Sequence, residues 1–248
     1  MTSTMDLLSS LAQDAAPSGT TVVADLQTGG RGRSGRAWTT PPGAALLMST
    51  LLRAPCPLAE CGVLAPLAGL AVARSIDSSI DSACEIKWPN DVLIEGRKVA
   101  GVLISARTGA PSDALPGALP ESSVVIVGIG INVTTEPSAL PPEATSVQQH
   151  ARRPVNRTDL LDELGVALES IYADFCAGQV DGALVDVNKR LAFRDQEVIV
   201  EDGPREIRGR LRRVDEDGGL VLVVDGEPVT VRSGELTRGP RPVRAGHI

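Results

Sequence analysis

The alternation Val124-Val125-Ile126-Val127-Gly128-Ile129-Gly130-Ile131-Asn132-Val133 constrains the fold of this chain more than any other stretch. With a period of two, Val125, Val127, Ile129, Ile131 and Val133 share one face of a strand, and Gly128, Gly130 and Asn132 share the other. The β-branched face needs a hydrophobic layer packed on it. The glycine face is cleared for a close neighbour, either a tightly packed helix or a ligand, and Asn132 sets an amide at its end.

Helices able to cover the apolar face are present. Residues 58–77 are apolar nearly all round (Leu58, Val63, Leu64, Leu67, Leu70, Ala71), as in a helix buried against a sheet. Pro66 predicts a kink or an early break there. In residues 158–177, Leu160, Leu161, Leu164, Leu168, Ile171 and Phe175 recur at helical spacing, with Asn156 or Thr158 as the cap. A short helix follows Ser3-Thr4, with Leu7, Leu8 and Leu11 on one face, and Pro17-Ser18-Gly19 ends it. Strands are predicted over residues 20–26, 44–52 and 84–88, with a hairpin of 92–94 and 99–104 around Glu95-Gly96. Residues 108–122 have loop composition. Beyond about residue 190, four short strands (197–201, 205–214, 220–225, 228–231) are separated by Asp202-Gly203, Asp217-Gly218 and Asp225-Gly226. The expected fold class is α+β. A mixed or antiparallel sheet with helices packed on it spans residues 1–190, a small β-barrel spans 191–238, and a disordered tail spans 239–248.

The net charge of −7 argues against general nucleic-acid binding. No apolar run reads as long enough to span a membrane, and the N-terminus lacks the basic-then-apolar pattern of a secretory signal. The four cysteines (56, 61, 84, 176) show no CxxC spacing. With only His150 and His247 beside them, a Cys/His zinc site is not expected, and free thiols in a cytoplasmic protein are the simplest account.

Against that acidic background, Gln27-Thr28-Gly29-Gly30-Arg31-Gly32-Arg33-Ser34-Gly35-Arg36-Ala37-Trp38 stands out. Four glycines and three arginines fall within eight residues, followed by one of only two tryptophans. Glycine lets a backbone approach a ligand closely, and arginine supplies fork-shaped donors for phosphate and carboxylate. Composition alone also suits a solvated turn or a disordered nucleic-acid-binding segment. The loop is expected to be mobile when empty and to order around an anion. A second motif, Lys87-Trp88-Pro89-Asn90-Asp91, places a lysine between apolar neighbours, where lysine ordinarily snorkels to solvent.

In order and spacing, the Gly-Arg loop, Lys87-Trp88-Pro89-Asn90-Asp91 and Gly128-Ile129-Gly130-Ile131-Asn132-Val133 together resemble the biotin–protein ligases, over about residues 3–238. The resemblance implies the catalytic fold of that family followed by an SH3-like domain. It implies biotin, ATP and Mg²⁺ as substrates with no tightly bound prosthetic group, and a biotin carboxyl carrier protein domain as acceptor. By resemblance, Ser3, Thr4, Gln27, Gly30, Arg31, Gly32, Arg33 and Lys87 hold biotin. Arg31, Arg33, Trp38, Lys98 and Asn132 hold the nucleotide, with Trp38 over the adenine. Arg33 and Lys87 are the catalytic pair, stabilising the reacting carboxylate and phosphate. Asp91 either fixes the hairpin or helps hold Mg²⁺, and no other metal ligand is implied.

One position departs from the family. Its Ser-Thr-Asn triplet reads Ser3-Thr4-Met5 here, so a thioether replaces an amide and one hydrogen-bond donor to biotin is lost. That departure and the abrupt N-terminus also suit a decayed or truncated paralogue that binds biotin or nucleotide without transferring it. A lipoate-type ligase on the same fold is a further alternative, against which the Gly-Arg loop counts. No winged-helix segment precedes residue 1, so the resemblance implies the short form without a DNA-binding domain. Such a protein would be cytoplasmic, a monomer or weak homodimer, with no nucleic-acid or membrane partner.

Overall fold

The computed structural model describes residues 1–109 and 122–238. Nearly all of the expected loop at 108–122, and all of the expected tail at 239–248, lie outside the described residues.

The first sheet has six strands: β1 (Thr21–Ala24), β2 (Ala45–Ala54), β3 (Glu85–Lys87), β4 (Asp91–Ile94), β5 (Arg97–Thr108) and β6 (Ser123–Asn132). Their order is β1-β2-β6-β5-β4-β3, and every neighbouring pair is antiparallel. The glycine-bearing strand β6 is central, between β2 and β5. Its Val125, Val127, Ile129 and Ile131 join the main core with α2 (Leu64–Asp77), α3 (Arg157–Cys176) and α4 (Asp181–Lys189). On the opposite face Val124 and Ile126 pack with Met5, Leu8 and Ala12 of α1 (Thr4–Gln13). Ten helical residues reach roughly 15 Å, whereas ten strand residues reach roughly 34 Å. Helix α1 therefore covers the first part of β6, reaching as far as Gly128 through Met5, and leaves the stretch at Gly130 without a helix.

The apolar segment 58–77 breaks early, as Pro66 predicts. It runs as a 3₁₀ helix over Leu58–Val63 and becomes α-helical from Leu64. Pro66 then sits in the first helical turn, where its missing N–H has no intrahelical acceptor to lose. Contrary to the sequence expectation, Leu58–Asp77 is long and apolar enough to cross a membrane by length and composition. Its residues are instead largely buried against the first sheet, α3 and α4. Asn156 is the cap of α3, its side chain accepting the Thr158 N–H at 2.8 Å. Helix α4 was not expected. Its residues DGALVDVNK include weak helix formers, and tertiary burial of Ala183, Leu184 and Val187 stabilises it.

The second sheet contains β7 (Glu197–Asp202), β8 (Arg205–Val214), β9 (Leu220–Val224), β10 (Glu227–Val231) and β11 (Glu235–Arg238), in the antiparallel order β10-β9-β8-β7-β11. The turn dipeptides fall where expected, with positive φ at Gly203, Gly218 and Gly226. Strand β11 is an addition to the four predicted strands, and it borders the groove described below. The sheets meet where the buried Trp88 Nε1–H donates to the Gly218 carbonyl at 2.9 Å. Gly62 and Gly218 lie so close that a Cβ on Gly218 would stand 2.7 Å from the Gly62 backbone.

Candidate active site

The uncovered part of the first sheet floors a groove of about 440 Å³, within the range of about 300–1,000 Å³ usual for small-molecule sites. Strand register builds this floor. Gly130 lies opposite Leu47 of β2 and Gly101 of β5, and Gly128 lies opposite Ser49 and Leu103. The space the glycines leave is taken by two side chains of this chain. A Cβ on Gly130 would stand 2.6 Å from the Trp38 ring, and one on Gly128 would stand 2.7 Å from Met5 Sδ. The first turn of α1 thus reaches Gly128 through Met5, whereas Gly130 is covered by Trp38 of the Gly-Arg loop. Trp38 Nε1 is buried without a hydrogen-bond partner among the described residues, a costly state for a donor unless a ligand supplies the acceptor.

At the α1 end, Gln27 Oε1 accepts from Thr4 N at 2.7 Å and Thr4 Oγ1 at 3.0 Å, and Thr4 Oγ1 also meets Ser49 Oγ at 2.7 Å. This arrangement leaves the Gln27 Nε2 amide to donate into the groove. Ser3 is the N-cap residue of α1, buried, with no side-chain capping bond.

The Gly-Arg loop is a narrow tongue. Trp38 N–H donates to the Gly30 carbonyl at 3.0 Å and Gly32 N–H to Arg36 O at 2.7 Å. Gly30 is buried so close to the returning strand that any Cβ would run into the Trp38 carbonyl. Ser34 and Gly35, with φ of 55° and 75°, turn the chain. The tongue is anchored at both sides. Arg31 pairs with Asp6 of α1. Arg36 Nη1 reaches Glu235 Oε1 of β11 at 2.8 Å, and Arg33 Nη2 donates to the Gly234 carbonyl at 3.1 Å.

Arg33 also approaches Asn90 Oδ1 at 3.4 Å, while Asn90 Nδ2 donates to Val102 O at 2.8 Å. Burial pulls the Arg33 guanidinium below its ordinary pKa, and the nearby Asp91 and Glu235 carboxylates oppose that pull. Lys87 ends β3 opposite Asp91 of β4, and its half-buried amine has no hydrogen bond or ion pair among the described residues. Lys98 Nζ lies 2.6 Å from Asp91 Oδ1 and 5.6 Å from the Trp38 ring centroid. Glu235 is held below the ordinary glutamate pKa, first by the Arg36 hydrogen bond and further by the charges of Arg36, Lys87 and Arg33. Five cations (Arg31, Arg33, Arg36, Lys87, Lys98) and three carboxylates (Asp91, Glu143, Glu235) line the groove, so the site is positive within an acidic chain. Such a site suits an anionic ligand.

Residues 1–115 match the model of the biotin/lipoate A/B protein ligase family. The biotin–[acetyl-CoA-carboxylase] ligase of Mycobacterium tuberculosis is 32% identical over 236 residues, covering 93% of this chain and 83% of that protein. The chain belongs to the biotin–protein ligase family. The bifunctional ligase/repressor of Bacillus subtilis is 37% identical over 179 residues, and the match spans 71% of this chain but only about half (52%) of that protein. Among solved structures, the Aquifex aeolicus biotin protein ligase in complex with biotin and ATP superposes with a TM-score of 0.76, at 26% identity, covering 95% of this chain and 94% of that one.

In this family member the residues named from sequence converge on one groove. Ser3, Thr4, Gln27, Arg31, Gly32, Arg33, Trp38, Lys87, Lys98 and Asn132 all line it, and Gly30 shapes the tongue above. The Asn132 amide donates to the Thr145 carbonyl at 3.0 Å, so its nitrogen is already bonded within the chain. Leu47, Ser49, Gly101, Asn90, Glu143 and Glu235 were not named from sequence. A glycine inside β5 was a readable sign for Gly101. Nothing local marks Glu235, which reaches the groove from the second sheet. Among the described residues no cluster of three His, Cys, Asp or Glu side chains suits a metal. This donor set fits a Mg²⁺ that would be carried in on a polyphosphate and keep most of its water, with Asp91, opposite Lys87 in the strand register, as a protein carboxylate able to hold it.

Proposed function

We propose that this chain joins biotin to ATP as biotinyl-5′-AMP and passes the biotinyl group to a lysine of a biotin carboxyl carrier protein domain. The observation that carries the reading is the pairing of an unpartnered Lys87 amine with Arg33 over a groove whose Trp38 Nε1–H lacks an acceptor. The names of its relatives, biotin–[acetyl-CoA-carboxylase] ligases among them, support the choice of substrates and acceptor.

In the first step a biotin carboxylate oxygen attacks the α-phosphorus of ATP. The bond from that phosphorus to the bridging oxygen breaks, and pyrophosphate leaves. Both reactants are anions, so Arg33 and Lys87 act by neutralising charge as it shifts between carboxylate and phosphate. Mg²⁺ carried by the triphosphate supplies further neutralisation on the leaving group. Gln27 Nε2 and the Thr4–Ser49 hydroxyl pair orient the biotin end, and the open face of the Trp38 ring receives the adenine. The mixed anhydride is prone to hydrolysis, and the tongue over residues 29–36 shields it. In the second step the ε-amine of the acceptor lysine attacks the acyl carbon. AMP leaves with the bonding pair, and the nitrogen loses a proton to complete the amide.

The test is transfer of labelled biotin to a purified carrier domain, omitting ATP, Mg²⁺ or biotin in turn. Transfer that requires all of them supports the ligase. Tight biotin or ATP binding without transfer would mark a binding paralogue instead, the outcome that Met5 favours. Lys87→Ala and Arg33→Ala are expected to slow adenylate formation by about 10²–10³-fold. Wild-type rates in both variants would remove these residues from the chemistry.

A further inference from the structure

His150 lies outside the groove and no part of the mechanism above uses it. Its side chain is only 8% exposed, and Nε2 stands 2.9 Å from Thr145 Oγ1. Thr145 is fully buried and connects two residues of the nucleotide end. Its N–H donates to the Lys98 carbonyl at 2.8 Å, and its own carbonyl accepts the Asn132 Nδ2 amide at 3.0 Å. Lys98 N–H in turn donates to Glu143 O at 2.8 Å, so residues 143–145 lie alongside the start of β5 as a wall of the groove. Next to this wall Lys98 faces the Trp38 ring and Asp91. The other group facing His150 is Glu95 of the β4–β5 turn, whose Oε2 is 3.9 Å from Nδ1. The Thr145 backbone thus holds Lys98 on one side and Asn132 on the other, and one imidazole holds its hydroxyl.

We propose that His150 is a positioning residue for the nucleotide half of the site, acting through Thr145 on Lys98 and Asn132. The proposal rests on the ligase reading, which assigns ATP to that end. A β-strand alone fixes where the Lys98 and Asn132 backbones lie. Backbone hydrogen bonds to Lys98 seat the 143–145 wall beside β5, and the His150–Thr145 contact adds a second hold, through the side chain, on the residue whose carbonyl accepts the Asn132 amide. Among the described residues, the end proposed for biotin, built from Thr4, Gln27 and Ser49, shares no hydrogen bond with this chain of contacts. Loss of the imidazole should therefore affect ATP and leave biotin alone, a split that a general loss of folding would not produce.

The test compares His150→Phe, which keeps a ring but removes both nitrogens, with His150→Gln, whose amide can again meet Thr145 Oγ1. Biotin-dependent pyrophosphate release is measured against ATP and against biotin, with calorimetric ATP affinity and Tm for each protein. For His150→Phe we expect the KM for ATP to rise about tenfold, the scale of one lost hydrogen bond. The KM for biotin should stay near wild type, the Tm should fall by no more than a few degrees for the buried Thr145 hydroxyl left without its partner, and His150→Gln should recover most of the ATP effect. An ATP KM within twofold of wild type, or ATP and biotin constants rising together, would overturn the positioning role while leaving the ligase intact. If the wild type releases no pyrophosphate, the ligase reading fails. The ratio of calorimetric ATP affinities then decides the role of His150 by itself, and absence of ATP binding to the wild type overturns both.

Discussion

Gly130 is where the chain tolerates no side chain at all. A methyl group there would stand 2.6 Å from the Trp38 ring, which cannot retreat without leaving the floor it shares with Gly101. Gly130→Ala should therefore displace Trp38 toward the nucleotide space, at the cost of about 1–3 kcal/mol typical of overpacking. The expected outcome is a changed tryptophan emission spectrum, with ATP-dependent turnover falling more than the Tm shift accounts for. Unchanged emission with unchanged turnover would show that the ring is not held as described. At this scale the sequence was legible in kind but not in occupant. Alternating glycines announced cleared space, whereas Trp38, ninety-two positions earlier in the chain, is what enters it.

The tongue over residues 29–36 illustrates how an element depends on partners that its own sequence does not reveal. Its glycines and arginines permit many loop conformations. The one observed is held by Asp6 of α1, by Gly234, and by Glu235 at the start of β11. Glu235→Gln weakens the β11 tether, so trypsin should cut after Arg36 faster in the variant at neutral pH, and equal rates would overturn the tether. The pH dependence has a definite sign. A carboxyl held below its unfolded value stabilises the fold above that value and loses the contribution as pH falls through its folded value. The Tm difference between wild type and Glu235→Gln should thus be present at pH 7. It should fade as pH drops below the ordinary glutamate value of 4.5. Both side chains are about half exposed, so solvent screening keeps the difference to about 0.5 kcal/mol or less. Helix α4 teaches the same lesson in reverse. Its local propensity is weak, and burial of one face against the rest of the core is what makes it a helix.

At the scale of the whole molecule, the lysine-bearing motif is fastened to the second sheet. Trp88, next to Lys87, is buried and donates across the junction to Gly218 in the β8–β9 turn. Trp88→Phe keeps an aromatic ring but leaves the Gly218 carbonyl without its donor, an expected loss of about 1–3 kcal/mol. Urea denaturation should show a lower midpoint with an unchanged slope, and a midpoint equal to wild type would show that the bond carries no net stability. Because the bond lies beside Lys87, the variant should also slow the adenylation step more than it weakens biotin binding.

Everything periodic or punctuated could be read along the chain. The two faces of β6, the buried helix that becomes α-helical just before Pro66, the amphipathic helix capped at Asn156 and the Asp-Gly turns are all local consequences of side-chain spacing and backbone preference. The motifs that carry the family resemblance are equally local, so the charged and polar residues they contain could be named before any contact was known. What fills the cleared space, and what holds the charged groups in place, emerged from the packing of the sheets and helices. Trp38 over Gly130, Glu235 against Arg36, and His150 behind Thr145 are contacts between residues set together by strand order and layer packing. Spacing along a chain does not encode them, because they depend on which strands become neighbours and which face each one turns inward.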